Sequence, residues 1–280
     1  ILEFPAQRGF VVVVATRDGT QVSVTPSATI DDGPAITGWG GGETRTFGLD
    51  AGQVFALFAT SPAGGPQRDL TGTLVRADAP VTVFSGHEQH AEGTDVEGGP
   101  ACCADRIEEQ LPPLSAWGTS YVATRTPTRG DAVLETWLVV AHTDASITTS
   151  PSVAGLDGET ISAGRAVVVT AARSFELTAT TPVLLARITH GREAVGVVGP
   201  VGDPALTILE PAGATRRFHM ADLPSGAGTR WVTVATRSGG DVLIGGRLRT
   251  TPPTETTPSW DIHAFSLAAG VHTIATPSGA

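Results

Sequence analysis

The strongest candidates for chemistry in this sequence are two histidines with carboxylates close by, the residue types that bind metal ions. They are His87, Glu88, His90, Asp95 and Glu97. The two histidines stand three positions apart (HEQH), whereas the metalloprotease motif places them four apart so that both rings share one helical face. In an extended chain, His87 and His90 would point to opposite faces. We therefore predict at most a weak metal site at His87 and His90, and we favour a structural role in which His87 ends a strand and anchors a loop.

The chain has two cysteines, Cys102 and Cys103, and they are adjacent. Zinc sites and disulfide frameworks both need cysteines that are spaced along the chain. A catalytic thiolate needs a positioned base, and the acidic neighbours Asp105, Glu108 and Glu109 would disfavour a negatively charged sulfur. Since there is no third cysteine, we predict a vicinal disulfide between Cys102 and Cys103 in an oxidising compartment, which would stiffen the surrounding loop.

Signals for other catalytic or ion-binding sites are weaker. The string GxSxG, which marks the serine of many hydrolases, is absent. A carboxylate pair of the glycosidase type is defined by distance in space, so the sequence leaves it open. Asp18 and the pair Asp31-Asp32 could bind calcium in turns, although no turn has the ligand spacing of an EF-hand. We predict no catalytic residue and no cofactor, with calcium as an alternative.

Two tryptophans lie in segments that are too rich in glycine or proline to be central strands: Trp39 within GWGGG, and Trp260 after a Thr/Pro-rich stretch. A tryptophan on a loop can stack on a sugar or dock a protein. The alternative is that each ring folds back over the end of a sheet. The predicted ligand-binding residues are Trp39, His87, Glu88, His90 and Trp260. The remaining tryptophans are predicted to lie in the core, namely Trp117, Trp137 and Trp231.

Composition favours β-structure and argues against nucleic acid as a partner. Apolar residues make up 40% of the chain and aromatic residues only 5%. The apolar positions are mostly Val, Ala, Leu and Ile separated by Thr, Ser and Gly, which suits pleated sheets. The 34 glycines and 20 prolines would interrupt long helices. The net charge is -10 and no basic stripe occurs, so no surface for phosphates is expected. No apolar run of about 18 residues exists, so we predict no membrane insertion.

One pattern of two strands joined by a polar turn occurs three times. Residues 10–25, 136–149 and 231–244 each contain an apolar run, a turn and an alternating run, which predicts a β-hairpin. After each copy, a Leu or Ile is followed by one residue and then Ala-Gly, and a glycine at this point indicates a turn with positive φ. These glycines are Gly52, Gly164 and Gly270.

These patterns predict an all-β fold of tandem antiparallel β-sandwich-like units, each of about seven strands over roughly 100 residues. A propeller-like or barrel arrangement of the same strands is the alternative. The predicted units are residues 1–107, 108–204 and 205–280. The first two units are predicted to continue with a strand pair, residues 70–77 with 81–86 and residues 175–179 with 183–189. The third unit has no such pair, so we expect it to be incomplete.

Several strings resemble a known family. Residues 84–88 (FSGHE), the cysteine-bearing loop, residues 109–113 (EQLPP) and Trp117-Gly118 are similar to the N-terminal domain family of IgGFc-binding proteins. So are the VVAT-type strands and residues 202–205 (GDPA), and the similarity covers most of the chain. The resemblance implies a secreted or surface-attached protein, here a bacterial member, with a binding or adhesive role in a longer multidomain parent.

The resemblance has two limits. No residue in this chain can be assigned to immunoglobulin binding, so that activity is not carried over. Family members often have a cysteine directly after Gly-His-Glu, where this chain has Gln89, and the two adjacent cysteines would then bridge each other.

The primary hypothesis is a non-catalytic binding or adhesion module, secreted or at the cell surface, for an extracellular protein or glycan. Its contacts would come from loops on a rigid scaffold, at residues 33–46, 87–107 and 245–261. The first alternative is a structural subunit of an extracellular assembly, in which edge strands pair with a neighbouring chain or with neighbouring domains of a longer parent protein. The second alternative is a hydrolase that uses residues 87–107.

Overall fold

A computed structural model shows this chain as a series of antiparallel β-sheets. The structure describes residues 2–3, 8–60, 69–91, 105–127, 133–191, 204–213, 217–221 and 230–276. The one helical element within these ranges is a 3-10 turn, Leu114–Ala116. The predicted all-β fold is confirmed. In the described ranges, no helix combines the length and the apolar character that a membrane crossing requires.

The first strand set, β1 to β8, forms two sheets around one core. Its strands are β1 (Leu2–Glu3), β2 (Gly9–Ala15), β3 (Thr20–Thr25), β4 (Arg45–Leu49), β5 (Val54–Phe58), β6 (Leu74–Ala77), β7 (Val81–Ala91) and β8 (Asp105–Gln110). One sheet has the order β1-β7-β2-β5, with β8 also paired to β7, and the other has the order β4-β3-β6. Alternate residues of β2 and β3, such as Val13 and Val22, meet in the core because side chains on a strand alternate between its faces.

The middle strand set, β9 to β15, forms one curled sheet that resembles half of a barrel. Its strands are β9 (Gly118–Ala123), β10 (Glu135–Ala141), β11 (Ala145–Ser150), β12 (Thr160–Ile161), β13 (Arg165–Ala171), β14 (Phe175–Thr189) and β15 (Ala205–Ile208). The first part of β14 pairs with β11 and its last part pairs with β10. The sheet therefore folds over its own core, where the rings of Trp137 and Phe175 meet edge to face at 5.1 Å.

The last strand set, β16 to β22, has two smaller sheets. Its strands are β16 (Arg217–Ala221), β17 (Arg230–Arg237), β18 (Val242–Ile244), β19 (Arg247–Arg249), β20 (Glu255–Thr256), β21 (Trp260–Leu267) and β22 (Val271–Ala275). The sheet orders are β16-β22-β18-β19 and β17-β21-β20. Side chains from both sheets, including Val234, Ile244 and Ile274, form the core between them.

The predicted hairpins are wrong, because in the structure the two strands of each copy do not pair with each other. β2 pairs with β5 and β7, whereas β3 pairs with β4 and β6. The same separation holds for β10 and β11 and for β17 and β18. An alternating pattern gives each strand one apolar face, and two such strands bury that face when they oppose each other across a core. The polar turn therefore carries the chain between layers.

The strand pairings of the first set recur in the middle set. β2 pairs with β5 and β7, as β10 pairs with β13 and β14, and β3 pairs with β4 and β6, as β11 pairs with β12 and β14. The turns also match. The N–H of Gly52 donates to Ala15 O at 2.9 Å, and the N–H of Gly164 donates to Ala141 O at 2.8 Å. The two glycines have the predicted positive φ, 78° and 72°.

The third glycine of the pattern lies in a different turn. Gly270 also has a positive φ, 138°. It joins β21, which pairs with β17, to β22, which pairs with β18. Gly52 carries the chain in the opposite direction, from the sheet of β3 to the sheet of β2. The third Ala-Gly string is therefore not equivalent to the first two.

Two predicted strand boundaries also change. The strand predicted at residues 70–77 begins only at Leu74, because Leu70 and Thr73 close a turn through a main-chain bond of 3.0 Å. The strands predicted at residues 175–179 and 183–189 are one continuous strand, β14. The division into units at residues 1–107, 108–204 and 205–280 stays a prediction.

Candidate functional site

The predicted histidine segment lies in a strand rather than in a loop. β7 continues to Ala91, so His87 does not end the strand as predicted. The pairing of β7 with β8 shifts register between His87 and His90, which brings their ring centroids to 6.1 Å instead of placing them on opposite faces. His90 is buried, and Nδ1 of His87 lies 2.7 Å from the carbonyl oxygen of Gln89. Asp95, Glu97, Cys102 and Cys103 lie outside the described residues, so the predicted disulfide stays a prediction.

Glu88 holds the start of β2 in place through Arg8. Its Oε2 accepts bonds from the Arg8 main-chain N–H at 2.9 Å and from Nε at 3.1 Å, and its Oε1 accepts one from Nη2 at 3.0 Å. The same guanidinium reaches Asp31 at 3.1 Å and lies 4.5 Å from the ring centre of Phe58. These bonds from Arg8 lower the pKa of Glu88. The carboxylate is therefore part of a structural ion-pair cluster.

The carboxylates considered for calcium binding are engaged by other groups of the protein, two of them from distant parts of the chain. Asp18 accepts a main-chain N–H at 2.9 Å, Asp32 accepts another at 2.7 Å, and Asp31 pairs with Arg8. Across the described ranges, no three His, Cys, Asp or Glu side chains form a group that could hold a metal ion. Calcium stays a prediction that these contacts do not support.

The FSGHE string has a packing requirement at its glycine. A Cβ on Gly86 would lie 1.9 Å from the carbonyl oxygen of Ile107 on β8. β7 and β8 therefore approach each other more closely than any side chain at position 86 would permit. Gly118 is similar, because a Cβ there would lie 2.5 Å from Pro211. These two glycines of the quoted strings serve the fold.

Trp39 is buried at 4% exposure, which corrects the prediction of an exposed ring and matches the alternative that it folds back. It anchors residues 31–44, which we call the Trp39 loop. The indole N–H donates to Glu43 O at 2.8 Å, and the Arg45 guanidinium lies 5.1 Å from the ring centre. The carboxylate of Asp32 accepts the N–H of Gly38 at 2.7 Å. The loop is thus tied down at several points.

The tip of the Trp39 loop is exposed although its base is fixed. Residues 32–35 and 40–44 are exposed to solvent, and they include the acidic side chains Asp32 and Glu43. At the base, a Cβ on Gly38 would lie 2.3 Å from Ile30 O, so the chain can pass there only with glycine. The result is a preformed, acidic surface loop.

Trp260 is also buried rather than exposed. It begins β21, is 5% exposed, and lies under the Arg237 guanidinium at 4.3 Å from the ring centre. The Thr/Pro-rich residues before Trp260 suggested an exposed loop. The pairing of β21 with β17 instead fixes the position of Trp260. Neither ring is exposed as a surface anchor, although Trp260 is among the residues that line a groove between the middle and last strand sets.

The predicted loop at residues 245–261 is only partly exposed. Residues 245–252 are exposed, but the following part docks on the start of β14. Glu176 accepts bonds from the N–H of Ser259 at 2.6 Å and from the hydroxyl of Thr257 at 2.7 Å. Glu255 accepts bonds from the N–H and hydroxyl of Ser174. The second half of this segment therefore joins the last strand set to the middle one.

The three tryptophans predicted as core residues have different environments. Trp137 is fully buried, as predicted, whereas Trp117 is half-buried and Trp231 is 39% exposed. In β17 the buried residues are Val232, Val234 and Thr236, so the inward positions are displaced by one from those that the sequence pattern suggested. A displacement of one residue turns every side chain to the other face of a strand.

Sequence reasoning missed a buried ion pair in the middle strand set. Both carboxylate oxygens of Glu135 accept the N–H of Thr126 at 3.1 Å, and Nε of Arg187 lies 4.0 Å away. Arg187 also donates to Thr124 O at 2.6 Å. Burial lowers the pKa of Arg187, against the opposing effect of Glu135. The sequence does show a charged residue, Glu135, at a core position of β10. Its partner Arg187 could not be inferred, because it lies far along the chain.

A groove of about 240 Å³ lies between the middle and last strand sets. One wall is formed by β17 and the end of β22, and the other by β9 and the residues that follow β15. Its lining residues include Thr233, Ala235, Ile274, Thr276, Leu209 and Pro211. Polar and apolar groups contribute about equally to its lining, and the polar side chains include Thr124, Glu210 and Thr233.

A protein-family model described as IgGFc binding protein matches residues 3–280. The chain belongs to the IgGFc-binding protein family. The resemblance seen in the sequence is confirmed. No curated protein matches the chain, and no solved structure does. Within this family member, Gly86, Glu88 and Gly118 of the characteristic strings are explained by packing and by the ion pair to Arg8.

Proposed function

We propose that this IgGFc-binding family member is a secreted or cell-surface binding module that acts without catalysis, with the Trp39 loop in its contact surface. The observation that carries the proposal is the combination of a fixed base and an exposed tip in that loop. Trp39, Asp32 and Arg45 hold the base. A loop that is already ordered loses little conformational entropy when it binds, so more of its contact energy contributes to affinity.

The charge of the loop indicates the kind of ligand. Asp32 and Glu43 are exposed at the loop, Glu43 is paired with Arg45 at 2.9 Å, and the whole chain has a net charge of -10. Complementary charge increases the rate of encounter and disfavours acidic partners. We therefore propose an extracellular protein or glycan with a basic surface as the ligand.

The experiment is a screen of the full chain against a glycan array and a panel of extracellular proteins that includes an immunoglobulin Fc fragment. Each ligand found is then tested with Ala35→Arg, which places a long cation on the exposed tip. Ala154→Arg, at an exposed alanine in another turn, is the matched control. We expect Ala35→Arg to weaken binding about tenfold, or 1.4 kcal/mol, and the control to leave it unchanged. A ligand that binds both variants equally would contradict the proposal.

A structural subunit of an extracellular assembly is the second candidate. It is favoured by β17, for which the described residues contain one paired neighbour, β21. Sedimentation of the full chain over a range of concentrations tests this role, because an assembly subunit should form larger species as concentration rises. If the assembly contains different chains, larger species should form only when the partner chain is added to the sample.

A further inference from the structure

The string Thr-Thr-Pro occurs three times in the chain, and the structure gives its copies three different environments. The copies are residues 180–182, 250–252 and 256–258. Chain segments rich in threonine and proline are typical carriers of O-linked sugars. Because the local sequence is the same in all three copies, differences between them as acceptors of a sugar must come from the fold.

The copy at residues 180–182 is occupied by the fold itself. It lies inside β14. The hydroxyl of Thr181 donates to Asp144 O at 2.9 Å, and the hydroxyl of Thr180 accepts the N–H of Ser146 at 3.0 Å. An enzyme that needs an extended, accessible main chain and a free hydroxyl cannot use this copy while the chain is folded.

The copy at residues 256–258 is held in a similar way. Thr256 lies in β20 and is paired with Asp261 of β21. Thr257 is buried, and its hydroxyl donates to the carboxylate of Glu176 at 2.7 Å. This copy is therefore also withheld from an enzyme by strand pairing and by burial.

The copy at residues 250–252 is the accessible one. It lies in the connection between β19 and β20, outside the described strands, and Thr250, Thr251 and Pro252 are all exposed. Among the described residues, neither threonine hydroxyl has a hydrogen-bond partner. Pro252 and Pro253 have no N–H to donate, and each proline keeps the residue before it extended. Both hydroxyls are thus presented on an extended and exposed main chain.

We propose that Thr250 and Thr251 are acceptors of O-linked sugars. The hydroxyl oxygen of the threonine bonds to the anomeric carbon of a nucleotide-activated sugar, the bond from that carbon to the nucleotide diphosphate breaks, and the hydroxyl proton is released. Nothing is oxidised or reduced. The inference rests on the proposed extracellular role, because phosphorylation, the other common modification of threonine, needs a nucleoside triphosphate that is supplied inside cells.

A sugar at this position protects the main chain beside it. Arg247, Leu248 and Arg249 of β19 are all exposed, and trypsin-like proteases cut after an exposed arginine. Exposed loops are preferred sites of such cuts. The bond between Arg249 and Thr250 joins a strand to the accessible connection, so a sugar on Thr250 lies directly next to it. Glycosylation therefore shields this bond from extracellular proteases.

The test uses the folded full chain, three free peptides and a purified enzyme that transfers N-acetylgalactosamine to threonine. The peptides are residues 177–184, 247–254 and 253–260, one for each copy of the string. Mass spectrometry with fragmentation that keeps the sugar attached maps the modified residues. We expect the peptides to accept sugar and the folded chain to accept it at Thr250 and Thr251 alone. The variant with both Thr250→Val and Thr251→Val should lose the sugar, whereas the control Thr170→Val, at an exposed threonine of β13, should keep it.

Limited digestion with trypsin measures the protection. The modified chain should be cut after Arg249 at least about tenfold more slowly than the unmodified chain. Cutting after Arg17, which is exposed in the turn between β2 and β3, should proceed at the same rate in both.

Several results would overturn the proposal. They are a peptide 247–254 that accepts no sugar, a folded chain that accepts none at Thr250 and Thr251, and a folded chain modified equally at Thr180, Thr181 or Thr257. Exported protein that carries phosphate or an unmodified hydroxyl at both positions would overturn it as well. The ligand screen uses unmodified chain, so the extracellular binding role and the sugar site can fail separately.

Discussion

Replacing Glu88 by glutamine tests whether the characteristic Gly-His-Glu string has a structural role. The carboxylate receives three hydrogen bonds from Arg8, at 2.9, 3.0 and 3.1 Å. Glutamine keeps one acceptor oxygen and presents an NH₂ group to the donors at the other. At least one bond to a charged group is then lost, and such bonds contribute about 1.5–3 kcal/mol each. Since the two side chains are 27% and 25% exposed, we expect a loss of about 2 kcal/mol in the free energy of unfolding at neutral pH.

The loss should disappear in acid. The hydrogen bonds from Arg8 lower the pKa of Glu88 in the folded chain below its unfolded value, about 4.3. A carboxylate of this kind stabilises the fold above its unfolded pKa, and the stabilisation is lost as the pH falls through its folded pKa. The stability of wild type and of Glu88→Gln should therefore begin to converge as the pH falls below the unfolded pKa of Glu88, and should be equal once the pH is below its folded pKa.

Urea unfolding followed by tryptophan fluorescence, at neutral pH and at a series of acidic values, measures the difference. Glu159→Gln, at an exposed glutamate, is the control and should stay within about 0.5 kcal/mol of wild type. A loss at Glu88 that is the same at neutral and acidic pH would refute the ion-pair explanation. So would a loss at neutral pH no larger than that of the control.

Two further substitutions test packing. Gly86→Ala should lower the free energy of unfolding by about 3 kcal/mol or more, because its Cβ would lie 1.9 Å from Ile107 O. The control is Gly40→Ala, where a Cβ meets nothing within 4 Å. Equal urea midpoints for the two variants would contradict the close approach of β7 and β8. Tyr121→Phe removes a buried hydroxyl that donates to Val183 O at 2.6 Å, so it should cost about 1–3 kcal/mol in the same assay. If Tyr121→Phe unfolds at the same urea concentration as wild type, the hydrogen bond to Val183 O makes no net contribution to stability.

The apolar faces of the strands could be predicted from the sequence, but their partners could not. The alternation around Val13 and Val22 correctly gives one buried face to β2 and one to β3. The same alternation fits two strands side by side in a hairpin and two strands that face each other across a core. Only the long-range pairs, such as Val13 with Val83, distinguish the two arrangements.

Single-residue displacements explain the failures at individual side chains. Trp137 and Trp231 were both predicted to lie in the core, yet Trp231 points away from it because the buried positions of β17 are displaced by one. His87 and His90 come together for a related reason, since the shift in register between them cancels the expected alternation.

The candidate site was predictable in location but not in character. Glycines around Trp39 correctly indicated a loop, but local composition carries no information on the core that lies beneath it. The partnership of Arg8 with Glu88 depends on the alignment of Gly9 with His87, residues that are far apart in the sequence. Local patterns cannot provide that alignment.

The continuity of β14 has a mechanical consequence. This one strand of 15 residues is bonded to β11 through its first part and to β10 through its last part. A pulling force that tried to slide one layer of the middle strand set over the other would have to shear both ladders together, because the same backbone belongs to both. The middle strand set should therefore resist stretching along this strand.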